Sequence, residues 1–345
     1  MLANCSKRSL IPSFSPLFRQ ISTQFAISPE IVGAMYEGAK NNSPNIVPSH
    51  QEINNHQRKL ESLYQQNSDF KKFGNQLFKA YHNSRVKSIA VAFERQENLD
   101  GSEKNPYFLP TLIATSLLQG IGLAPFYNNK NFPSFALVNK DNANAISGHQ
   151  DSMFLRPEDK NLNLIPTLLL VNGYSQSNAK TWVKESVDII KDFKEKYPIS
   201  YEILKKINFV CRSKSLNEMG SHLPHKIIGE NDEIKFISNL VYAPVPTDLS
   251  IFGILKEEAY LAIFRFRELV NLEKNRDEFV MNNHEGQFLI VKNSEAIHGR
   301  DRVEDELLGK RLLIAFALRL QPKPSSKAQS PIEAEKFSEQ KTLSL

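Results

Sequence analysis

Gly286-Gln287-Phe288-Leu289-Ile290-Val291-Lys292-Asn293-Ser294-Glu295-Ala296-Ile297-His298-Gly299-Arg300 joins an apolar run, a polar break and a histidine. Phe288 to Val291 is too short and too apolar for a surface helix, so it reads as a buried strand. Similar short runs occur at 133–139, 164–171, 207–211, 234–242 and 311–320. The alternating segment 86–93 predicts another strand. Helical spacing appears over 56–83, where Leu60, Leu63, Tyr64, Phe70, Phe73, Leu77 and Tyr81 recur three and four apart. It also predicts helices over 107–122, 255–272 and 178–197, the last with Trp182, Val183, Val187, Ile190 and Phe193 on one side. The fold class is therefore mainly β with helical insertions (α+β), as a closed or sandwiched β-structure preceded by helices. Residues 1–55 read as an Asn-, Ser- and Pro-rich leader with one short helical stretch at 31–40. Residues 56–320 form the expected domain, and 321–345 read as a disordered tail.

Composition narrows the classes. The chain has 345 residues, 41% hydrophobic and 23% charged, enough to bury a sizeable core. A net charge of +5, with no basic stripe interleaved with aromatics, argues against nucleic acid as partner. No apolar run reaches the ~18 residues that would cross a bilayer, so no membrane partner is expected. The two cysteines, Cys5 and Cys211, do not suggest a disulfide framework, which fits a reducing, cytoplasmic setting. Residues 1–29 carry Lys7, Arg8 and Arg19 but no acid, a composition also compatible with an organellar transit segment.

Candidate metal ligands sit at two strand ends. In Gly148-His149-Gln150-Asp151, His149 and Asp151 are two apart and share a face on an extended strand. His298 follows the strand 288–291. Two imidazoles and a carboxylate match the ligand set that leaves three positions open on Fe(II). A surface polar turn is the plain alternative for His149 and Asp151. Arg311 starts the apolar run 311–320, thirteen residues after His298, where a guanidinium would grip a dicarboxylate through paired hydrogen bonds. Thr181, at the expected start of the 178–197 helix, would add a hydroxyl to that carboxylate or cap the helix.

These segments resemble the taurine dioxygenase/clavaminate synthase-like Fe(II)/2-oxoglutarate oxygenases. The likeness rests on His149-Gln150-Asp151-Ser152-Met153-Phe154, Leu164 to Asn172, Ala179-Lys180-Thr181-Trp182, Ser116 to Tyr127, and the distal stretch quoted above. It covers roughly residues 86–320. It implies a double-stranded β-helix (jelly-roll, cupin-like) core, with His149, Asp151 and His298 as catalytic iron ligands. Arg311 and Thr181 would bind 2-oxoglutarate. With O2, oxidative decarboxylation would give succinate and carbon dioxide while a small-molecule substrate, amino-acid-like in several members, is hydroxylated or otherwise oxidised. Two departures matter. Asp151 stands where clavaminate-synthase relatives usually carry Glu. Ala315 stands where several amino-acid hydroxylases carry a second Arg for the substrate carboxylate, and Arg319 lies too far along the strand to replace it simply.

Other residues have modest expectations. His222 and His225 read as loop residues or as part of a substrate entrance. His284 would replace His298 only if that ligand were misassigned, and Asn293 would shape the turn before His298. Arg300 would lie near the pocket or pair in water with Asp301 or Glu304. Ile263, Phe264 and Phe266 read as helix packing. Specificity would reside in 152–163, 212–232 and 243–255. A non-catalytic metal- or ligand-binding relative on the same barrel, and a Zn hydrolase using the same His/Asp/His set, stay open. A homo-oligomer is compatible with the sequence but not specified by it.

Overall fold

The computed structural model describes residues 22–27, 50–94, 108–120, 122–126, 134–137, 144–150, 167–175, 177–213, 223–238, 240–280, 285–308 and 311–320. Two antiparallel sheets carry the site. Among the described residues the larger has the order β1-β2-β11-β6-β13-β3, with β4 also paired to β13. Its strands are β1 (Ser22–Ile27), β2 (Ser88–Glu94), β3 (Leu123–Phe126), β4 (Ser134–Leu137), β6 (Thr167–Ser175), β11 (Glu285–Val291) and β13 (Arg311–Leu320). Only the β1–β2 pairing is parallel there. The smaller sheet runs β10 (Asp277–Val280), β7 (Lys180–Glu185), β12 (Ala296–Arg300), β5 (Ile146–His149). A separate hairpin-like pair joins β8 (Phe209–Ser213) to β9 (Leu240–Pro244).

Strands buried on both faces read as unbroken apolar runs, and β11 shows why. Phe288 and Ile290 enter a core beneath helices α1 (His50–Gln66), α2 (Ser68–His82) and α3 (Phe108–Gly120). Leu289 and Val291 enter the core between the sheets, with Leu168, Leu170, Leu313 and Ala317 of the larger sheet and Val183, Phe279 and Ala296 of the smaller. The outer face of the smaller sheet supplies Trp182 and Ile297 to a third core. Helices α4 (Ser186–Lys196), α5 (Pro198–Lys206) and α7 (Lys256–Asn271) cover that core; α6 (Pro246–Phe252) lies just before α7. No described helix is long and apolar enough to cross a membrane. Cys211 is buried and outside any disulfide; Cys5 lies outside the described residues.

Several expectations need correction. The 178–197 helix is a strand followed by a helix, and α4 starts only at Ser186. Trp182 and Val183 are both buried, but into opposite cores, and β12 and β10 pair with β7 on its two edges. The helical spacing of 182, 183, 187, 190 and 193 was coincidental, because Val187 is 57% exposed. The 56–83 pattern is two helices, broken where the Asn67 side chain accepts the Asp69 and Phe70 amides and caps α2. The 234–242 run is mostly irregular; Ile234 makes an isolated bridge to Ile228, and the strand begins at Leu240. Part of the expected leader is folded: β1 pairs with β2, and Ile53 of α1 is buried. The 31–40 stretch and the 321–345 tail lie outside the described residues.

Candidate metal centre

Side-chain alternation decides what β5 and β12 present. Ile297 points to the helices, so Ala296, His298 and Arg300 face the larger sheet. A Cβ added at Gly148 would meet Val270, Trp182 and Ile297, so the neighbouring His149 faces the other way, toward the larger sheet. In the antiparallel register His298 lies opposite His149. Their rings are 4.3 Å apart between centroids, tilted by 47°. His298 is buried and His149 half-buried.

The donor chemistry fits a metal. His149 Nδ1 lies 3.0 Å from the Ser147 carbonyl. A carbonyl only accepts, so the proton sits on Nδ1 and the ligating lone pair on Nε2. Two nitrogens bound to one ion lie about 3 Å apart, within reach of two rings at this spacing. Asp151, the third expected ligand, lies outside the described residues, as does His284. Among the described residues no third His, Cys, Asp or Glu joins the pair.

The pair is held from behind. Trp182, the single tryptophan, lies over Gly148 and Gly299, the glycines next to the two histidines. The Arg276 guanidinium stacks on the same indole at 4.1 Å. The outer edge of β5 is fastened by Asn271, whose Oδ1 accepts the Gly148 amide (2.9 Å), and by an isolated bridge from His149 to Ile237. Gln150 is buried and donates from Nε2 to the Asn293 carbonyl (2.8 Å), tying the segment after His149 to the turn before His298. Asn293 lies buried in that turn and receives this link through its carbonyl, while the Lys292 carbonyl accepts the Glu295 and Ala296 amides that close the turn.

Thr181 is buried on the inner face of β7, opposite Arg300 in the register, and does not cap a helix. Arg300 is buried rather than in water. Its Nη2 donates to the Asn144 carbonyl at 2.8 Å, and burial lowers the guanidinium pKa. That bond spans a bulge, since β5 advances three residues while β12 advances two between His298 and Arg300. Arg311 begins β13 opposite Ser175 of β6, in the alternation phase of Leu313, Ala315 and Ala317. Its side chain lies outside the described residues. His225 is bridged to Phe209, with Nδ1 3.1 Å from the Leu223 carbonyl and its ring 6.2 Å from that of Tyr242; His222 is not described.

No family profile and no curated protein matches the chain. Solved structures do. Non-heme iron oxygenase OrfP, in complex with Fe and alpha-ketoglutaric acid, superposes with a TM-score of 0.56 at 13% identity, over 85% of this chain and 92% of that one. Asparagine oxygenase, in complex with Fe(II), 2S,3S-3-hydroxyasparagine and succinate, gives 0.53 at 11% identity over 85% and 92%. OrfP with Fe, succinate and (3R,4R)-dihydroxy-L-Arg also gives 0.53, at 13% identity over 85% and 93%. The chain has the fold of a non-haem iron oxygenase. Within this oxygenase fold, sequence reasoning missed Gly148, Gln150, Trp182 and Gly299 as supports of the histidines. The only sequence signal was that each histidine has a glycine beside it.

Proposed function

We propose that this protein is an Fe(II)- and 2-oxoglutarate-dependent oxygenase that oxidises a small molecule. The two sheets would form a double-stranded β-helix. The observation that carries the proposal is the inward-facing His149–His298 pair, with rings 4.3 Å apart on neighbouring strands. His149, His298 and Asp151 would hold the iron, and Arg311 with Thr181 would take the carboxylate of 2-oxoglutarate. OrfP and asparagine oxygenase have been captured with iron, with alpha-ketoglutaric acid or succinate, and with arginine- or asparagine-derived molecules. They support the same cofactor and cosubstrate here and an amino-acid-like substrate.

Bound iron would supply dioxygen activation coupled to decarboxylation of the 2-oxo acid. The chain's own residues supply position and a dry site. The Ser147 carbonyl holds the proton on His149 Nδ1. Trp182 and Arg276 back the sheet, while Leu168, Leu170, Leu289 and Leu313 line the space between the sheets with apolar surface. Thr181 would donate its hydroxyl to a carboxylate, and Arg300 would keep β5 in register with β12.

The test is anaerobic titration of Fe(II)-loaded protein with 2-oxoglutarate, followed by the visible charge-transfer band. The band is expected in wild type and absent in His149→Ala and His298→Ala. A folded, metal-loaded wild type without the band would refute the oxygenase assignment and leave a zinc hydrolase or a non-catalytic binder.

A further inference from the structure

Helix α7 is apolar on two opposite faces. Ala259, Ala262, Ile263, Phe266, Leu269 and Val270 point inward and complete the core under the smaller sheet. Tyr260, Leu261 and Phe264 point outward and do nothing for that core. A helix that covers a sheet needs one apolar face and normally carries polar residues on the other. The outer apolar surface continues around the Gly253 corner onto Leu255, Phe252 and Ile251, with Ile251 73% and Leu255 64% exposed.

Scaled by their fractional exposures, these six side chains expose on the order of 650 Å², taking about 200 Å² for a fully exposed side chain. That lies at the upper end of the roughly 300–600 Å² of the largest patch on a typical monomer. It approaches the ~800 Å² per partner of a standard interface before any polar rim is added.

We propose that this face is a two-fold interface with a second copy of the same chain, with the two α7 helices antiparallel. Charge placement selects that arrangement. Exposed Lys256 lies in the first turn of α7 and exposed Glu268 lies twelve residues on, about 18 Å along the axis. A two-fold axis crossing the outer face of α7 at the level of Ala262, midway between Tyr260 and Phe264, brings each Lys256 to the Glu268 of the second copy and each Tyr260 to the second copy's Phe264. The Lys256 ammonium already lies 5.9 Å from its own Tyr260 ring, at the edge of the apolar stripe. The antiparallel pairing also sets opposite helix-dipole ends together. An isologous contact of this kind closes as a dimer rather than a filament.

Sedimentation velocity of the full chain between about 1 and 100 µM, a range that brackets moderate dimer affinities, tests this directly. A monomer–dimer equilibrium is expected, and Phe264→Glu should weaken it at least 100-fold. Lys256→Glu and Glu268→Lys should each weaken self-association roughly tenfold, as expected for reversing two rim pairs. Mixing those two single variants should restore a heterodimer, because both charge pairs re-form only across an antiparallel two-fold. All three substituted positions are exposed, so circular dichroism and melting should match wild type. A single monomeric species throughout the range would overturn the proposal. So would a dimer indifferent to Phe264→Glu, or charge-reversed variants that fail to recombine.

Discussion

Gly299→Ala tests how the histidine pair is held. The new methyl would sit 2.3 Å from Trp182 Cζ2, 2.5 Å from Cε2 and 2.6 Å from the Ile146 carbonyl oxygen. Ordinary contact begins about 1 Å farther out. Both the indole and the β5–β12 pairing must therefore give way. The indole is pinned on its other side by Arg276. Ile146 belongs to the strand that carries His149. Overpacking of this kind costs about 1–3 kcal/mol, or roughly 1–5 °C in Tm for a chain of this size. Because relief moves His149 against His298, metal affinity should fall by about 10–100-fold, as when a ligand's support is removed. Differential scanning calorimetry and competitive Co(II) titration measure the two effects. Trp182→Leu opens the space behind Gly299, so in that background Gly299→Ala should lose the part of both effects that the indole causes, while the clash with the Ile146 carbonyl remains. Equal losses in both backgrounds would show that the indole does not set the register, and an unchanged Tm and affinity would refute the steric argument outright.

Three further outcomes are expected. Lys184 is buried on the outer face of β7, donates to the Leu269 carbonyl, and desolvation lowers its pKa to about 8. Unfolded, it titrates near 10.5. Folding therefore bears a penalty that is complete below about pH 8 and disappears as pH rises toward 10.5. Lys184→Met should stabilise the protein by up to roughly 3 kcal/mol at neutral pH, and urea denaturation should show the gain shrinking between pH 8 and 10.5; a gain constant with pH would refute the charge account. Thr181→Val should weaken 2-oxoglutarate about 5–10-fold by loss of one hydrogen bond, with Fe(II) affinity unchanged; equal loss of both would reassign Thr181 to folding. Asn67→Ala removes the acceptor of the Asp69 and Phe70 amides and should cost about 1 kcal/mol in denaturant unfolding, whereas no change would mean that packing alone ends α1.

The legible parts of the fold were those with a local cause. β13 was read from its own apolar run, and α3 and α7 from three-to-four spacing with a glycine or polar stop. The strand after Thr181 was not legible. A central strand buried on both faces places Trp182 and Val183 inside together, and the following turns of α4 extend the apparent helical period. Its identity comes from β12 and β10, which lie about a hundred residues downstream. The two histidines were readable as residue types, and their neighbouring glycines were visible. The reason for those glycines was not, because the indole that needs the space belongs to another strand.

The parallel pairing of β1 with β2 bears on where the chain tolerates being shortened. β1 covers the outer edge of the larger sheet along Ser88 to Phe93. A version beginning near residue 56, where the helical pattern becomes obvious, would leave a row of six residues with open backbone donors and acceptors. An edge of that length is a template for strand addition by other molecules. Such a version should aggregate during refolding. One beginning just ahead of Ser22 keeps β2 paired on both sides and should stay dispersed.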